Sequence, residues 1–196
     1  MARPRGYHHG DLRAALVQTA VDVIAERGVH AFSVAEASRR IGVAVSAPYA
    51  HFADRDEVLA AVAVEACRRF HAALLEDLAA VDEPPARLAA IAAAYVRFAG
   101  SQRPLFDVLF SAGLDKRRHP GLEAAERPID ELFQACVHAV AGDGATARAL
   151  AVAIEACAHG HAMLLLDGSL GDAGEAAGRA ARATLALVEG RRALAG

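Results

Sequence analysis

The sequence predicts an all-α protein, and three observations carry that expectation. Alanine dominates an apolar fraction of 55%, and alanine is the strongest helix former because it loses no rotamer freedom in a helix. Alternating Val/Ile/Thr runs, the mark of strands, are missing. Apolar residues recur instead at helical spacing, in segments separated by Gly, Pro and Asp clusters. A length of 196 residues suits a small domain joined to a larger one. The expected division is a three-helix N-terminal domain over 1–54 and a larger helical domain over 55–196.

Taken in order, residues 1–10 are rich in Arg, Pro, Gly and His and are expected to be mobile. A first helix runs from about Asp11 to Arg27, with Leu12, Leu16, Ala20, Val23 and Ile24 as its apolar stripe. Gly28 ends it as a C-cap. Ser33 then caps a second helix, with Glu36 three residues on as a capping box requires. That helix stops at Ile41, before Gly42. A short third helix covers about Val45 to Ala50, with Pro48 in its first turn. Asp54 caps a long fourth helix reaching about Val81. The break Asp82-Glu83-Pro84-Pro85 opens a fifth helix to about Ala99. Another break at 100–104 precedes a short apolar helix through Phe110 and a polar loop over 111–120. A seventh helix spans about Gly121 to Val140, with Pro128 expected to kink or restart it. The turn Gly142-Asp143-Gly144 leads to a helix over 145–166, and a ninth helix follows over 173–194.

The most informative stretch is Ser33 to Phe52, SVAEASRRIGVAVSAPYAHF. Its plan is helix, Gly turn, short helix: a helix-turn-helix. Val34, Ala37 and Ile41 face inward, and Gly42 makes the turn. The helix after it is too short and too sparsely apolar to be mainly core. Its outward residues Val45, Ser46, Tyr49 and Ala50 suit base edges in a major groove. Tyr49 and His51 are placed to reach phosphates. An ordinary αα-corner with a surface tyrosine is the alternative this stretch leaves open. The charge distribution favours DNA: residues 1–55 carry seven Arg against five acids, a balance of +2, while the net charge of -3 leaves -5 for the remainder.

The run Gly42-Val43, Tyr49-x-His51-Phe52-x-Asp54-Arg55-Asp56-x-x-Leu59 resembles the signature of the TetR family of repressors. Ala25-Glu26-Arg27-Gly28 and Phe32-Ser33-Val34 are similar to that family's first helix and second-helix cap. The likeness is close over 10–60 and looser over the nine-helix layout. Tyr7-His8-His9-Gly10 and Ala158-His159-Gly160-His161 resemble a branch with a C-terminal aromatic–His–Gly element. The resemblance implies a cytoplasmic transcriptional repressor. It would bind a palindromic double-stranded operator as a homodimer and be released by a small-molecule effector. Ser33 and Arg55 take DNA-contacting roles on this reading. Two positions depart from the family: Ala44 replaces the usual Ser or Thr cap of the recognition helix, a loss of about 1 kcal/mol, and Ala47 replaces a phosphate-binding Ser or Thr. The tryptophan usual ahead of His159 is also missing.

Further candidates complete the expectation. Arg3 and Arg5 suit a minor-groove arm, with a solvated tail as the alternative. For Arg55 the alternative to a phosphate contact is an ion pair with Asp54 or Asp56. Tyr95, Phe98, Phe106, Phe110, Phe133 and Met163 supply large side chains for a ligand pocket, with His138 and His159 as orienting polar groups; each of the six large side chains is more readily core than ligand contact. The dimer interface is expected along the last two helices, through Val152, Ala156, Gly160, Ala177, Ala181, Leu185 and Val188. His159 and His161 point about 200° apart on a helix and cannot chelate one ion together, so neither metal nor cofactor is expected. No phosphate loop, nucleophile elbow or HExxH occurs, which argues against an enzyme. The odd cysteine count, Cys67, Cys136 and Cys157, suggests reduced thiols. The apolar run Ala149–Leu166 is read as a buried helix rather than a membrane span, because Glu155, His159 and His161 interrupt it.

Overall fold

A computed structural model describes residues 9–195. Arg3, Arg5 and the Tyr7-His8 part of the branch motif lie outside the described residues. Among those residues there are eight α-helices and no strand: α1 (His9–Arg27), α2 (Val34–Ile41), α3 (Arg55–Leu78), α4 (Pro84–Ser101), α5 (Arg103–Ser111), α6 (Pro120–Ala141), α7 (Ala145–Leu166) and α8 (Ala173–Glu189). Short 3-10 turns cover Val29–Ala31, Ala47–Ala50, Lys116–Arg118 and Arg191–Ala195.

The chain forms two compact units. The first, the head, runs to Ala66 and includes Pro104–Glu123; the second, the body, comprises Cys67–Arg103 and the chain from Ala124 onward. This grouping differs from the sequence-based division at residue 54. Val58, Leu59 and Val62, on the first turns of α3, are fully buried and belong to the head.

In the head, α2 packs on α1, burying Leu16, Ala20, Val23 and Ile24 with Val34 and Ala37. Both predicted glycine stops are present. Gly28 has φ +78° and its N–H reaches Ile24 O at 2.8 Å. Gly42 is left-handed at φ +81°; Val43 N–H closes the turn onto Ser38 O at 3.0 Å. The predicted capping box at Ser33 does not form. Ser33 occupies the N-cap position but its side chain makes no capping bond. Glu36 is held by cations instead: Arg39 at 2.7 Å, Arg40 at 3.2 Å and Arg27 at 3.7 Å. Three guanidinium groups outcompete one backbone N–H for that carboxylate.

In the body, α4 packs against α7 and α8, and α7 against α8. Ala92, Ala93, Ala94 and Ala99 of α4 are buried, as are Ala176, Ala177 and Ala180 of α8. Small side chains let these helices approach closely. A Cβ at Gly100 would lie 3.1 Å from both Ala173 Cβ and Leu165 Cδ2, so only glycine fits there without a shift. Pro128 does not divide α6, which runs unbroken from Pro120 to Ala141; the proline forgoes a single backbone bond. The expected last helix stops at Glu189, and Arg191–Ala195 tighten into a 3-10 turn.

Candidate nucleic-acid interface and effector-binding residues

The segment after Gly42 is a turn rather than the helix expected over 45–50. A helix starting at Ala44 would make its first i→i−4 bond from residue 48, which is proline and has no N–H. Ala44 O is taken by Ala47 N–H at 2.9 Å instead, and Tyr49 N–H reaches Ser46 O at 3.2 Å. The result is the 3-10 turn Ala47–Ala50. Its outward residues survive the change. Val45 is 48% and Tyr49 54% exposed, Ser46 and Ser33 are exposed, and His51 is half-buried. Pro48 and Phe52 are the buried anchors. The Arg13 guanidinium covers the Phe52 ring at 5.2 Å.

The start of α3 is fixed by a reciprocal pair of bonds. Asp54 Oδ1 accepts from Glu57 N–H at 2.9 Å, and Glu57 Oε2 accepts from Ala53 N–H at 2.6 Å. Asp54 is thus the cap its position suggested. Arg55 has a role that sequence reasoning missed. Its Nε donates to Phe32 O at 3.1 Å and its Nη2 to Val29 O at 2.7 Å, while Asp56 lies at 3.6 Å. The guanidinium ties α3 to the link between α1 and α2. Arg40 does the same for the two helices themselves, reaching Glu26 at 2.8 and 2.6 Å. The bond to Arg40 holds the Glu26 and Glu36 carboxyls below their ordinary range.

The expected effector-binding residues divide between the units. Tyr95 hydroxyl and His159 Nδ1 form a hydrogen bond of 2.8 Å in the body. Phe70 meets Tyr95 edge-on at 5.8 Å and Phe98 at 5.1 Å. Burial, and then the Glu155 carboxylate, push the Tyr95 phenol pKa up, so the hydroxyl stays protonated. Phe133 is buried in α6. Phe106 and Phe110 stack at 4.7 Å but belong to the head, because α5 groups there, not with Tyr95. His138 is exposed and bonded to Asp143 at 2.9 Å. The pair lines a surface cleft of about 440 Å³, with Gln134, Val137 and Arg148. Met163 is 47% exposed, on the same face of α7 as Val152 and Ala156 rather than in a core.

The expected dimer residues also divide. Val152 is 65% exposed, and Ala156 and Leu185 are exposed, with Gly160 and Ala181 half-buried. Ala177 and Val188 are buried within the body. They lie on α8, which packs on α4 and α7, and are unavailable to a partner. Leu164, exposed on α7, adds to the surface and was not singled out. α7 is the one helix among the described residues long and apolar enough to cross a membrane, yet it is not wholly buried as expected: Leu150, Ile154 and Ala158 face inward while Val152 faces out.

A helix, a glycine-closed turn and an exposed segment seated on buried Pro48 and Phe52 define a helix-turn-helix DNA-binding unit. A family model described as bacterial regulatory proteins, tetR family, matches residues 16–62. One described as tetracyclin repressor-like, C-terminal domain, matches residues 88–188. The chain belongs to the TetR family of DNA-binding transcriptional regulators. Among solved structures, a protein of unknown function from Rhodococcus sp. RHA1 is 29% identical, with full coverage of both chains and a TM-score of 0.71. A tetR-family regulatory protein from Rhodococcus RHA1 is 21% identical over 90% of this chain and 96% of its own, also with a TM-score of 0.71. FadR from Bacillus subtilis, in complex with stearoyl-CoA, is 17% identical over 89% of this chain and 96% of its own, with a TM-score of 0.69. No curated protein matches.

Proposed function

We propose that the protein is a cytoplasmic repressor that binds a palindromic operator as a two-fold dimer and is released by a small molecule held in the body. One observation carries the reading: α3 is a single helix whose start belongs to the head and whose part beyond Ala66 belongs to the body. Its first turns follow the recognition turn, and its Phe70 packs on Tyr95 and Phe98. A ligand that favours one tilt of this helix weakens DNA binding by the same coupling free energy, typically about 1–3 kcal/mol. The Phe70–Tyr95–Phe98 cluster with its Tyr95–His159 bond suits an apolar or mildly polar effector. The exposed apolar face of α7 and α8, with Val152, Ala156, Met163, Leu164 and Leu185, supports a dimer built on those helices. The DNA-contacting set in this reading is Val45, Ser46, Tyr49 and His51, together with the exposed Ser33.

Selection of duplexes from a random pool by the purified protein tests the reading. A palindrome should be enriched, with half-sites about one helical turn apart. Tyr49→Ala should weaken selected and unselected duplexes alike, because phosphate contacts carry no base information. Changes at Val45 or Ser46 should shift the enriched sequence. No enriched palindrome, or an unchanged affinity for Tyr49→Ala, would overturn the docking.

A further inference from the structure

The arginines of α1, α2 and the start of α3 are engaged inside the head, with one exception. Arg27, Arg39 and Arg40 meet Glu36, and Arg40 also holds Glu26. Arg55 serves the carbonyls of Val29 and Phe32. Arg13, on α1, differs from these. It is exposed, and it makes no hydrogen bond or ion pair with the described residues. Its guanidinium lies over a ring face instead, 5.2 Å from the centroid of Phe52. A DNA backbone is bound by cations that face solvent and whose donors are not already taken, and Arg13 meets both conditions.

Two observations place this cation at the recognition turn. α1 packs on the turn Ala47–Ala50 as well as on α2. Phe52, the ring beneath Arg13, is a buried anchor of that turn. Its N–H donates to Pro48 O at 3.0 Å, and His51 N–H donates to the same carbonyl at 2.9 Å. A ring holds a guanidinium by its face and leaves the in-plane N–H donors at its edge unspent. The stack also narrows the freedom of a long side chain before DNA arrives, so less ordering is left for a contact to pay. An exposed, oriented guanidinium with unspent donors matches a phosphate, which it can take through two parallel N–H···O bonds.

We propose that Arg13 is a DNA-backbone contact, which binds a phosphate beside the recognition turn while the Phe52 ring holds its guanidinium in place. The proposal rests on the DNA-binding reading above and extends it to α1, outside the helix-turn-helix. Such a contact is independent of base sequence, so a mixed-sequence duplex is a sufficient probe. The test compares the full-length wild type with Arg13→Met, which keeps an unbranched stem over the ring but removes the charge. Arg13→Lys keeps the charge but not the planar fork, and Arg127→Gln is an equal charge change at an exposed site in the body. Affinity is measured between about 50 and 200 mM salt. Each lost phosphate contact should lower the slope of log K against log salt by about 0.9, so Arg13→Met should lose slope while Arg127→Gln keeps it. Arg13→Lys should keep the slope and bind every duplex more weakly than wild type by the same factor. An Arg13→Met protein with wild-type slope overturns the phosphate contact, whether or not its affinity falls; a fall at constant slope would mean that Arg13 only seats Phe52. So would an equal loss of slope in Arg127→Gln, which would make the effect one of net charge. If Tyr49→Ala still weakens binding in these cases, the helix-turn-helix reading stands. A wild-type protein with no salt-dependent DNA binding overturns both.

Discussion

The head and the body are held together by different physics. The head adds directed bonds to its buried core: Arg40 to Glu26 and Glu36, Arg55 to two backbone carbonyls, Arg13 to the Phe52 ring, and a reciprocal cap at Asp54 and Glu57. The body relies on area, with alanine faces of α4 and α8 in close contact. The difference follows from length. α2 has eight residues and the recognition turn four, too few to be stable from their own backbone bonds. Of the turn's residues only Pro48 is buried. Neighbours must fix it by specific bonds, and that is what leaves Val45, Ser46 and Tyr49 exposed for a partner. Helices α4 and α7, with eighteen and twenty-two residues, can be fixed by packing alone.

The largest expected effect tests the body's dependence on volume. Leu150 is fully buried, and Leu150→Ala should cost about 2–5 kcal/mol, the transfer of the side chain plus the cavity it leaves. Ala180→Leu acts in the opposite sense and should cost about 1–3 kcal/mol by forcing the packed helices apart. Denaturant midpoints measure both. If Ala180→Leu stabilised the protein, the close approach of α8 would not be what holds the body.

The head should respond to geometry at constant charge. Arg55→Lys keeps the cation, but an ammonium on a flexible stem cannot reproduce the guanidinium's fork onto Val29 O and Phe32 O. It should lower stability by about 1.5 kcal/mol. The salt slope of DNA binding should stay the same if the bonds to Val29 O and Phe32 O are the whole of Arg55's role. A variant of wild-type stability with a reduced salt slope would return Arg55 to the phosphate role expected from the family resemblance.

The same contrast explains what was legible in the sequence. Signals carried by one residue and its near neighbours were readable: Gly28 and Gly42 end their helices with positive φ, and Asp54 caps α3. The family signature gave the helix-turn-helix for the same reason, since it is compact in sequence. Features decided at a distance were not readable. Glu36 had the spacing of a capping box with Ser33, but Arg27 and the next turn of α2 supplied better partners. Ala177 and Val188 had the spacing of an interface, yet α8 turns them inward within the body. In the recognition segment Pro48 falls where the spacing predicts a first helical turn, a position at which a missing N–H costs little. With Ala44 opening the segment, that absence decides between a helix and a 3-10 turn.

The smallest expected effect is the sharpest test of the contrast, because its sign differs between the two units. In the head, Glu26 and Glu36 have carboxyl pKa values lowered chiefly by their bonds to Arg40. A lowered folded pKa contributes stability above the unfolded value, and that contribution is lost as pH falls through the folded value. In the body, the Glu155 carboxyl is pushed up by burial and then by the nearby Asp130 charge. A raised folded pKa contributes stability below the unfolded value, lost as pH rises through the folded one. Acidification should therefore loosen the head while relieving the body. Hydrogen exchange at acidic pH should show faster exchange in α1 and α2 than at neutral pH, beyond the intrinsic change, with α4, α7 and α8 still protected. Glu155→Gln should raise stability at neutral pH and leave it unchanged under acid. The gain should stay below about 1 kcal/mol, because the side chain is only partly buried and its charge is screened by solvent. Equal loosening of both units in acid, or a loss of neutral-pH stability in Glu155→Gln, would show that charge does not divide the molecule in this way.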